Sequence, residues 1–167
     1  VCDMSMLRYA RIVPYFIFET TDETNHLNKS TLFTTTLHSR LEAFPSLQTL
    51  KVVLNNLSFV DESIGCMVDL KYLDLFQNQL QDLPAGMDAC VLMVHCDVSY
   101  NNLHVMPVGL SSLHQLEHLD LQHNEIPSIP ADTFEMMTSL TTLYLNHNKI
   151  PKIPVEFYNC VKLTKFN

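Results

Sequence analysis

The sequence predicts an α/β solenoid: a horseshoe with short parallel strands on its concave face and short 3₁₀, helical or extended segments on its convex side. Three observations predict it. Five asparagines recur along the 167 residues at separations of 23, 23, 23 and 24. Apolar residues recur eight, five and three positions before each asparagine and two positions after it. The chain has only three glycines and no apolar run long enough to span a membrane. A period of this length indicates one structural unit per repeat, stacked on its neighbours.

Each unit contains an apolar pattern that predicts one short strand. In the second unit the apolar residues are Leu70, Leu73, Leu75 and Leu80, and the other units keep this phase. The third unit is looser, because Cys96 takes the place of a leucine. Since side chains alternate along a strand, the leucines of each LxL segment point inward and the residues between them point to solvent. Stacked units then bury one continuous core that a single unit could not form.

The pattern LxxLxLxxNxL resembles the leucine-rich repeat family over about residues 37–167. Its 23-residue period and its apolar–proline pairs, such as Leu83-Pro84, are most similar to the intracellular group that includes Ras-suppressor and Ras-scaffold proteins. The fourth unit has 24 residues and is similar to a type frequent in extracellular receptors. Receptor caps usually carry clustered cysteines, and residues 31–46 have none. The resemblance implies a horseshoe fold and a protein-binding role, and no cofactor is expected.

The recurrent asparagines are expected to form a structural ladder where each strand turns away. An amide side chain both donates and accepts hydrogen bonds, so a row of amides would satisfy backbone groups of the same and neighbouring units. A proline six positions after most of the asparagines favours an extended or short 3₁₀ return path. The ladder consists of Asn55, Asn78, Asn101, Asn124 and Asn148.

The chain before the repeats is divided into two parts. Residues 1–30 are assigned to a non-repeat extension, whose apolar segment around Pro14 predicts an extended strand or an irregular stretch docked on the cap. Residues 31–46 are assigned to a degenerate capping unit, because Leu37 matches the second half of a unit. Residues 47–167 contain five full repeats and a truncated sixth. No cap follows them, and we expect further repeats or a partner at that end.

The cysteines favour a reducing compartment. Five are present, an odd number, with long spacings and no CxxC pair, which predicts reduced and mostly buried thiols. No signal-peptide pattern is visible, and we expect a cytoplasmic protein. Two glycosylation sequons, at Asn28 and Asn56, leave an extracellular location open.

One motif points to an enzyme. His114-Gln115-Leu116-Glu117-His118 matches HxxEH, a zinc-protease motif when it lies on a helix. Here the repeat phase assigns Leu116 to the core and His118 to a strand, so the two histidines are not expected on one helical face. No nucleophile triad or phosphate-binding loop stands out. We therefore expect a non-enzyme with no catalytic residue and no metal site.

The candidate binding site is the solvent face of the predicted sheet. Its aspartates and histidines are expected to form columns, because adjacent strands lie about 4.8 Å apart. Stacked carboxylates repel one another, and neighbouring histidines predict binding that depends on pH near the histidine pKa. Exposed aromatic side chains on such a face are typical of binding hot spots. The predicted contact residues are Tyr72, Asp74, Phe76, His95, Asp97, Tyr100, His118, Asp120, His123, Tyr144 and His147.

The functional prediction is a protein–protein interaction scaffold, a subunit of a larger intracellular assembly. The formal charge of −8 favours a partner with a basic surface and disfavours nucleic acid. No membrane span and no small-molecule substrate are expected. Two alternatives remain: a ligand-binding ectodomain fragment of a secreted or membrane receptor, and the regulatory arm of an enzyme encoded beyond this fragment.

Overall fold

A computed structural model describes residues 45–167 in full, and before them the backbone of Tyr9–Ile12 and Thr36–Leu37. It confirms the predicted α/β solenoid. Seven parallel strands form the main sheet, six of them from successive repeats, and two further strands pair separately. The main sheet contains, in spatial order, β1 (Tyr9–Ile12), β3 (Thr49–Val52), β5 (Tyr72–Asp74), β6 (His95–Asp97), β7 (His118–Asp120), β8 (Thr142–Tyr144) and β9 (Lys165–Phe166). The smaller sheet contains β2 (Thr36–Leu37) and β4 (Phe59–Val60).

The strand register follows the sequence repeat. Leu50 lies opposite Leu73, Leu73 opposite Cys96, and the same alignment continues through Leu119 to Leu143. The 24-residue unit keeps this register, because its extra residue lies outside the strands. Equivalent side chains therefore form straight columns along both faces of the sheet.

The apolar columns make one continuous core. The core positions predicted for the first four units are all buried, including Cys96 in its leucine slot. In the fifth unit Ile150 is half-buried. Phe166 on the edge strand β9 is 49% exposed, since no strand covers its outer side in the described part of the chain.

A 3₁₀ helix forms the convex side of each unit. Four of the five helices follow a proline, which holds the N-cap residue in an extended conformation. In the first unit Asp61 replaces the proline, and its carboxylate accepts a hydrogen bond from the backbone of Ser63. The helices span Glu62–Cys66, Ala85–Ala89, Val108–Leu110, Ala131–Phe134 and Val155–Asn159.

Each 3₁₀ helix places one large apolar side chain in the core that the leucine pattern did not identify. These side chains lie nine or ten positions after the asparagine of their unit. They are Ile64, Met87, Leu110, Phe134 and Phe157, the last of them half-buried.

Four of the five asparagines join their unit to the unit before it. Asn78 donates from Nδ2 to the carbonyl of Val52, at 2.6 Å, and to that of Leu75, at 2.9 Å. Its Oδ1 accepts from the backbone N–H of Leu57 at 3.1 Å. Asn101, Asn124 and Asn148 make the same set of bonds one, two and three units further on. Asn55 donates to the carbonyl of Val53.

The N-terminal segment contributes to both sheets. β1 pairs in parallel with β3 and extends the main sheet by one strand, and the assignment of residues 1–30 to a non-repeat extension stays a prediction. The backbone of Leu37 lies opposite Val60 in the smaller sheet. The other residues of the predicted cap up to position 44, as well as Asn28, lie outside the described residues, and the bounds of the cap stay a prediction.

Within the part of the chain that the structure describes, no helix has the length and apolar character to cross a membrane.

Candidate functional site

The concave face of the main sheet presents four parallel columns of side chains. Two columns come from the strands and two from the residues that follow each strand. The ring column contains Tyr72, His95 and His118. The aspartate row contains Asp74, Asp97 and Asp120. Phe76 belongs to a third column. The fourth column, which we call the rim row, lies at the edge of the face and contains Leu54, Gln77, Tyr100, His123 and His147.

The ring column is a continuous π-stack. Tyr72 and His95 stack with their ring centroids 4.0 Å apart and an angle of 4° between the ring planes. His95 and His118 stack at 4.3 Å and 6°. Tyr144, on β8, meets His118 edge-on at 5.9 Å. The parallel register sets this spacing, because neighbouring strands are separated by roughly the distance between stacked rings.

The rim row forms a second stack beside the first. Phe76 contacts Tyr100 edge-on at 5.3 Å, and Tyr100 stacks on His123 at 4.1 Å. His123 in turn stacks on His147 at 4.0 Å. The face therefore carries two lines of rings, and each is held by contacts between successive units.

The rim row has an unusual backbone conformation. All five residues have positive φ values, between 52° and 57°, although none is glycine or asparagine. This left-handed conformation costs an ordinary side chain about 1–2 kcal/mol. It turns the chain sharply from the strand into the asparagine ladder. The repeat pattern alone gave no sign of it, because no glycine marks the position.

The aspartate row is tied to the backbone. Each carboxylate accepts a hydrogen bond from the N–H two residues later: Phe76, Ser99 and Gln122 respectively. Asp97 also accepts from the Ser99 hydroxyl at 2.6 Å. Recurrent aspartate at this position thus has a structural role, since it closes the turn that follows each strand.

The electrostatic environment differs along the columns. Burial and, after it, the neighbouring His118 lower the pKa of His95 to about 4, although Asp74 opposes the shift. Burial also lowers the pKa of His118, against the opposing effect of Asp97. Desolvation lowers the pKa of His123, and the neighbouring His147 makes a smaller contribution in the same direction. Each of these three histidines is therefore protonated only at a more acidic pH than an ordinary histidine.

Asp120 is the most buried carboxylate of the face, with 6% of its surface exposed. Its pKa is raised to about 6, mainly by burial and also by Asp97, against the opposing effect of the hydrogen bonds from Gln122. Gln122 Nε2 donates to the second oxygen of this carboxylate at 3.2 Å.

At the N-terminal end of the face, Lys51 provides a cation. Its Nζ lies 3.6 Å from Asp74 Oδ2 and 4.5 Å above the centre of the Tyr72 ring. The ammonium thus combines an ion pair with a cation–π contact.

The structure brings the predicted contact residues together on one face. Two contact chains link the rings, one through Tyr72 and Tyr144 and one through Phe76 and His147. The expectation that the four aromatic residues are exposed was wrong for three of them. Tyr100 is 42% exposed, whereas Tyr72, Phe76 and Tyr144 are half-buried because they pack against neighbouring rings. Whether these residues bind a partner stays a prediction.

The HxxEH motif does not form a helical site. His118 lies in β7, and His114 is exposed in the turn before it. Across residues 45–167 and the two N-terminal strands, no group of three or more histidine, cysteine or acidic side chains is arranged to hold a metal.

The described cysteines are free thiols. Cys90, Cys96 and Cys160 are buried, as predicted, but Cys66 is exposed at the end of the first 3₁₀ helix. Burial raises the pKa of Cys90 to about 11 and raises that of Cys96 further. The buried thiols therefore behave as small apolar core residues.

Comparisons with known proteins agree with this architecture. The sequence model of the leucine rich repeat family matches residues 114–167. A solved leucine-rich repeat protein of Leptospira interrogans superposes on 80% of this chain with a TM-score of 0.76 and 27% identity. An internalin of Listeria monocytogenes superposes on 76% with a TM-score of 0.65 and 22% identity. No curated protein matches the chain.

These findings define the class of the protein by its fold. Residues 45–167 form a leucine-rich repeat solenoid, a fold that generally mediates protein–protein interaction and is typically not catalytic. The chain spans about a third of the two solved proteins, 34% and 36% of their lengths.

Proposed function

We propose that this chain is a non-catalytic scaffold that binds a protein partner on the concave face of its sheet. The observation that carries the proposal is the pair of ring stacks, which run side by side across consecutive units of the concave face. Ring stacks are rigid, so little side-chain entropy remains to be lost on binding. Tyr100, with an exposed ring supported by His123, is the best-placed anchor.

The shape of the face favours a protein over a small molecule. Small ligands bind in enclosed apolar pockets. A hollow of about 320 Å³ beside Leu54 and Gln77 is open to solvent and is lined mainly by asparagine and glutamine side chains. An extended groove formed by several repeats instead suits a protein surface.

The proposal places the protein in the cytoplasm, as a subunit of an assembly like those of the 23-residue intracellular group. The buried free thiols support a reducing compartment. The excess of 18 acidic over 10 basic residues supports a basic partner surface.

Cross-linking mass spectrometry of the native complex tests the binding face. Lys51 and Lys165 lie on the concave side, and Lys71 and Lys152 are exposed outside the columns. We expect partner cross-links at the first pair and a loss of binding of at least about tenfold on Tyr100→Ala, the size of a hot-spot residue. The matched control is Tyr158→Ala, which removes an 85% exposed tyrosine from the convex side. Cross-links confined to Lys71 and Lys152, with binding unchanged by Tyr100→Ala, would contradict the proposal.

A second candidate is a ligand-binding ectodomain fragment. The observation that favours it is the position of Asn56, which is exposed together with Ser58 of its sequon, while Leu57 between them is buried. Its Oδ1 accepts a long 3.3 Å hydrogen bond from Gln79. Intact-mass analysis of the protein from its native source distinguishes the two: a glycan on Asn56 supports the ectodomain, and an unmodified Asn56 supports the cytoplasmic scaffold.

A further inference from the structure

Lys51 shows how the concave face holds a cation. The ammonium sits between a carboxylate of the aspartate row and the outer face of the ring column. It supplies positive charge to Asp74 only, at the N-terminal end. The residue one strand before Asp97 is Asp74, and the residue one strand before Asp120 is Asp97. At the position that Lys51 occupies relative to Asp74, Asp97 and Asp120 therefore each have another aspartate in place of a lysine.

The unpaired carboxylates stand next to one another. In the described part of the chain, no lysine, arginine or histidine nitrogen lies within 4 Å of Asp97 or Asp120. Like charges at the spacing of adjacent strands repel, and the raised pKa of Asp120 reflects this repulsion as well as burial. A cation from another molecule would remove the repulsion.

The groups around these carboxylates suit an arginine. Asp97 Oδ1 is engaged by Ser99, which leaves Oδ2 without a hydrogen bond from the described residues. His95 and His118 flank the row, and each neutral imidazole has one ring nitrogen that accepts a hydrogen bond. A guanidinium has five donors in a planar fork and can reach a carboxylate and a ring nitrogen together.

We propose that the partner bound on the concave face inserts a basic side chain, an arginine, beside Asp97 and Asp120, between the ring column and the rim row. This inference rests on the proposed scaffold function and specifies the chemistry of its partner. Tyr100 of the rim row, which contacts Phe76, gives the aliphatic part of the arginine an apolar surface. The excess of acidic residues in the chain favours the approach of such a partner.

A charge-matched peptide experiment tests the inference. The probe is a fluorescent peptide of alternating arginine and serine, and its control has citrulline in place of arginine, which keeps the shape and removes the charge. Binding to the whole chain is measured by fluorescence anisotropy at about 0.15 M salt, where distant surface charges are screened. We expect the arginine peptide to bind at least about tenfold more tightly, the factor that corresponds to one charge-assisted contact.

Two double variants locate the contact. Asp97→Asn with Asp120→Asn removes the charges but keeps an oxygen that accepts from the Ser99 and Gln122 backbones. Asp88→Asn with Asp132→Asn changes the net charge equally on exposed parts of the 3₁₀ helices. We expect a loss of at least tenfold for the first pair and less than twofold for the second. Equal losses, or no preference for arginine over citrulline, would overturn the inference.

A measurement on the unmodified protein covers the case in which the first double variant does not fold. Carbodiimide coupling of carboxylates, read by mass spectrometry, is expected to slow at Asp97 when the arginine peptide is present and to stay unchanged at Asp132. No protection of Asp97 would count against the inference. The scaffold function would survive that result if native cross-links still fall on Lys51 and Lys165, because those report on the face and not on the arginine.

Discussion

The two halves of the solenoid share one repeat frame but pack their convex sides differently. In the N-terminal half, glycines let adjacent 3₁₀ helices approach closely: a Cβ on Gly65 would lie 2.5 Å from the carbonyl oxygen of Gly86. In the C-terminal half, the large apolar side chains of the helices are phenylalanines, where the N-terminal units have Ile64, Met87 and Leu110. Phe134 and Phe157 meet edge-on at 5.3 Å, and Phe157 packs against Phe166 of β9 at 4.9 Å. The strand register is the same in both. The asparagine and leucine positions thus set the architecture, while the packing between neighbouring 3₁₀ helices varies along it.

The largest expected effect on stability is in the C-terminal half, where phenylalanines pack against one another. Phe134 is fully buried, so Phe134→Ala leaves a cavity and loses the contact with Phe157. We expect the free energy of unfolding to fall by about 3–5 kcal/mol, measured by urea denaturation. Phe166→Ala is the control and is expected to cost much less, because its ring is 49% exposed. Similar losses of stability for the two variants would show that the buried Phe134 side chain stabilises the fold no more than the exposed Phe166 side chain does.

The asparagine ladder is expected to be more important in the centre than at the C-terminal end. Asn101 is 6% exposed, and Asn101→Ala leaves the carbonyls of Leu75 and Val98 without their side-chain donor. We expect a loss of about 2–4 kcal/mol, because several buried polar groups become unsatisfied together. Asn148 is only half-buried, so Asn148→Ala should cost less. Thermal and urea denaturation of the two variants give the comparison, and the reverse order would refute it.

The close approach in the N-terminal half is tested by Gly65→Ala. The added methyl meets backbone, which cannot move like a flexible side chain, so we expect a loss of about 1–3 kcal/mol. At Gly109 the nearest atom would be 2.9 Å away, and Gly109→Ala should be milder. If Gly65→Ala is neutral in equilibrium denaturation, the two helices do not depend on this contact.

The pH dependence of stability should reveal two opposing groups. The pKa of Asp120 is raised to about 6, so its proton uptake favours the folded state as pH falls from 6 towards 4. The pKa of His95 is lowered to about 4, so the unfolded chain takes up that proton first, and acid disfavours the folded state in the same window. Asp120→Asn should therefore make the loss of stability between pH 6 and 4 steeper, by about 1 kcal/mol or more.

The matching control for the Asp120 variant is His95→Gln, which should make the loss of stability between pH 6 and 4 smaller. Denaturation curves at pH 4, 5, 6 and 7 test both variants against the unsubstituted protein. Identical slopes for all three would mean that neither group titrates differently in the folded and unfolded states.

The smallest effect is expected in the rim row. Gln77 is exposed with φ of 53°, and Gln77→Gly relieves the left-handed strain while adding flexibility to the unfolded chain. We expect a gain of at most about 1 kcal/mol. His147→Gly at φ of 57° should gain less, because it also loses the stack on His123. A greater gain in the free energy of unfolding for His147→Gly than for Gln77→Gly would mean that the stack between His123 and His147 does not stabilise the fold.

The sequence predicted the parts of the fold that its period controls. Apolar positions such as Leu73 and Leu119 repeat in phase with the asparagines, so strand placement and concave neighbours could be read directly. The left-handed rim row could not, because residues such as Tyr100 and His123 give no local signal for positive φ. The exposure of Tyr72 was misjudged because ring stacking between units depends on which rings stand next to one another, and the strand period alone does not report that contact.

The ladder has a consequence for how such a chain can change in length. Asn78 joins the unit before it through two hydrogen bonds, one to a backbone carbonyl and one from a backbone N–H, and the next three asparagines repeat both bonds. The 24-residue unit adds its extra residue in the segment of the 3₁₀ helix Ala131–Phe134, while Asp120 still lies opposite Tyr144. A whole unit could therefore be duplicated or lost by recombination between equivalent positions, and the rejoined ends would meet in register. The copy number of the repeats, and with it the length of the concave groove, is free to evolve separately from the side chains that line it.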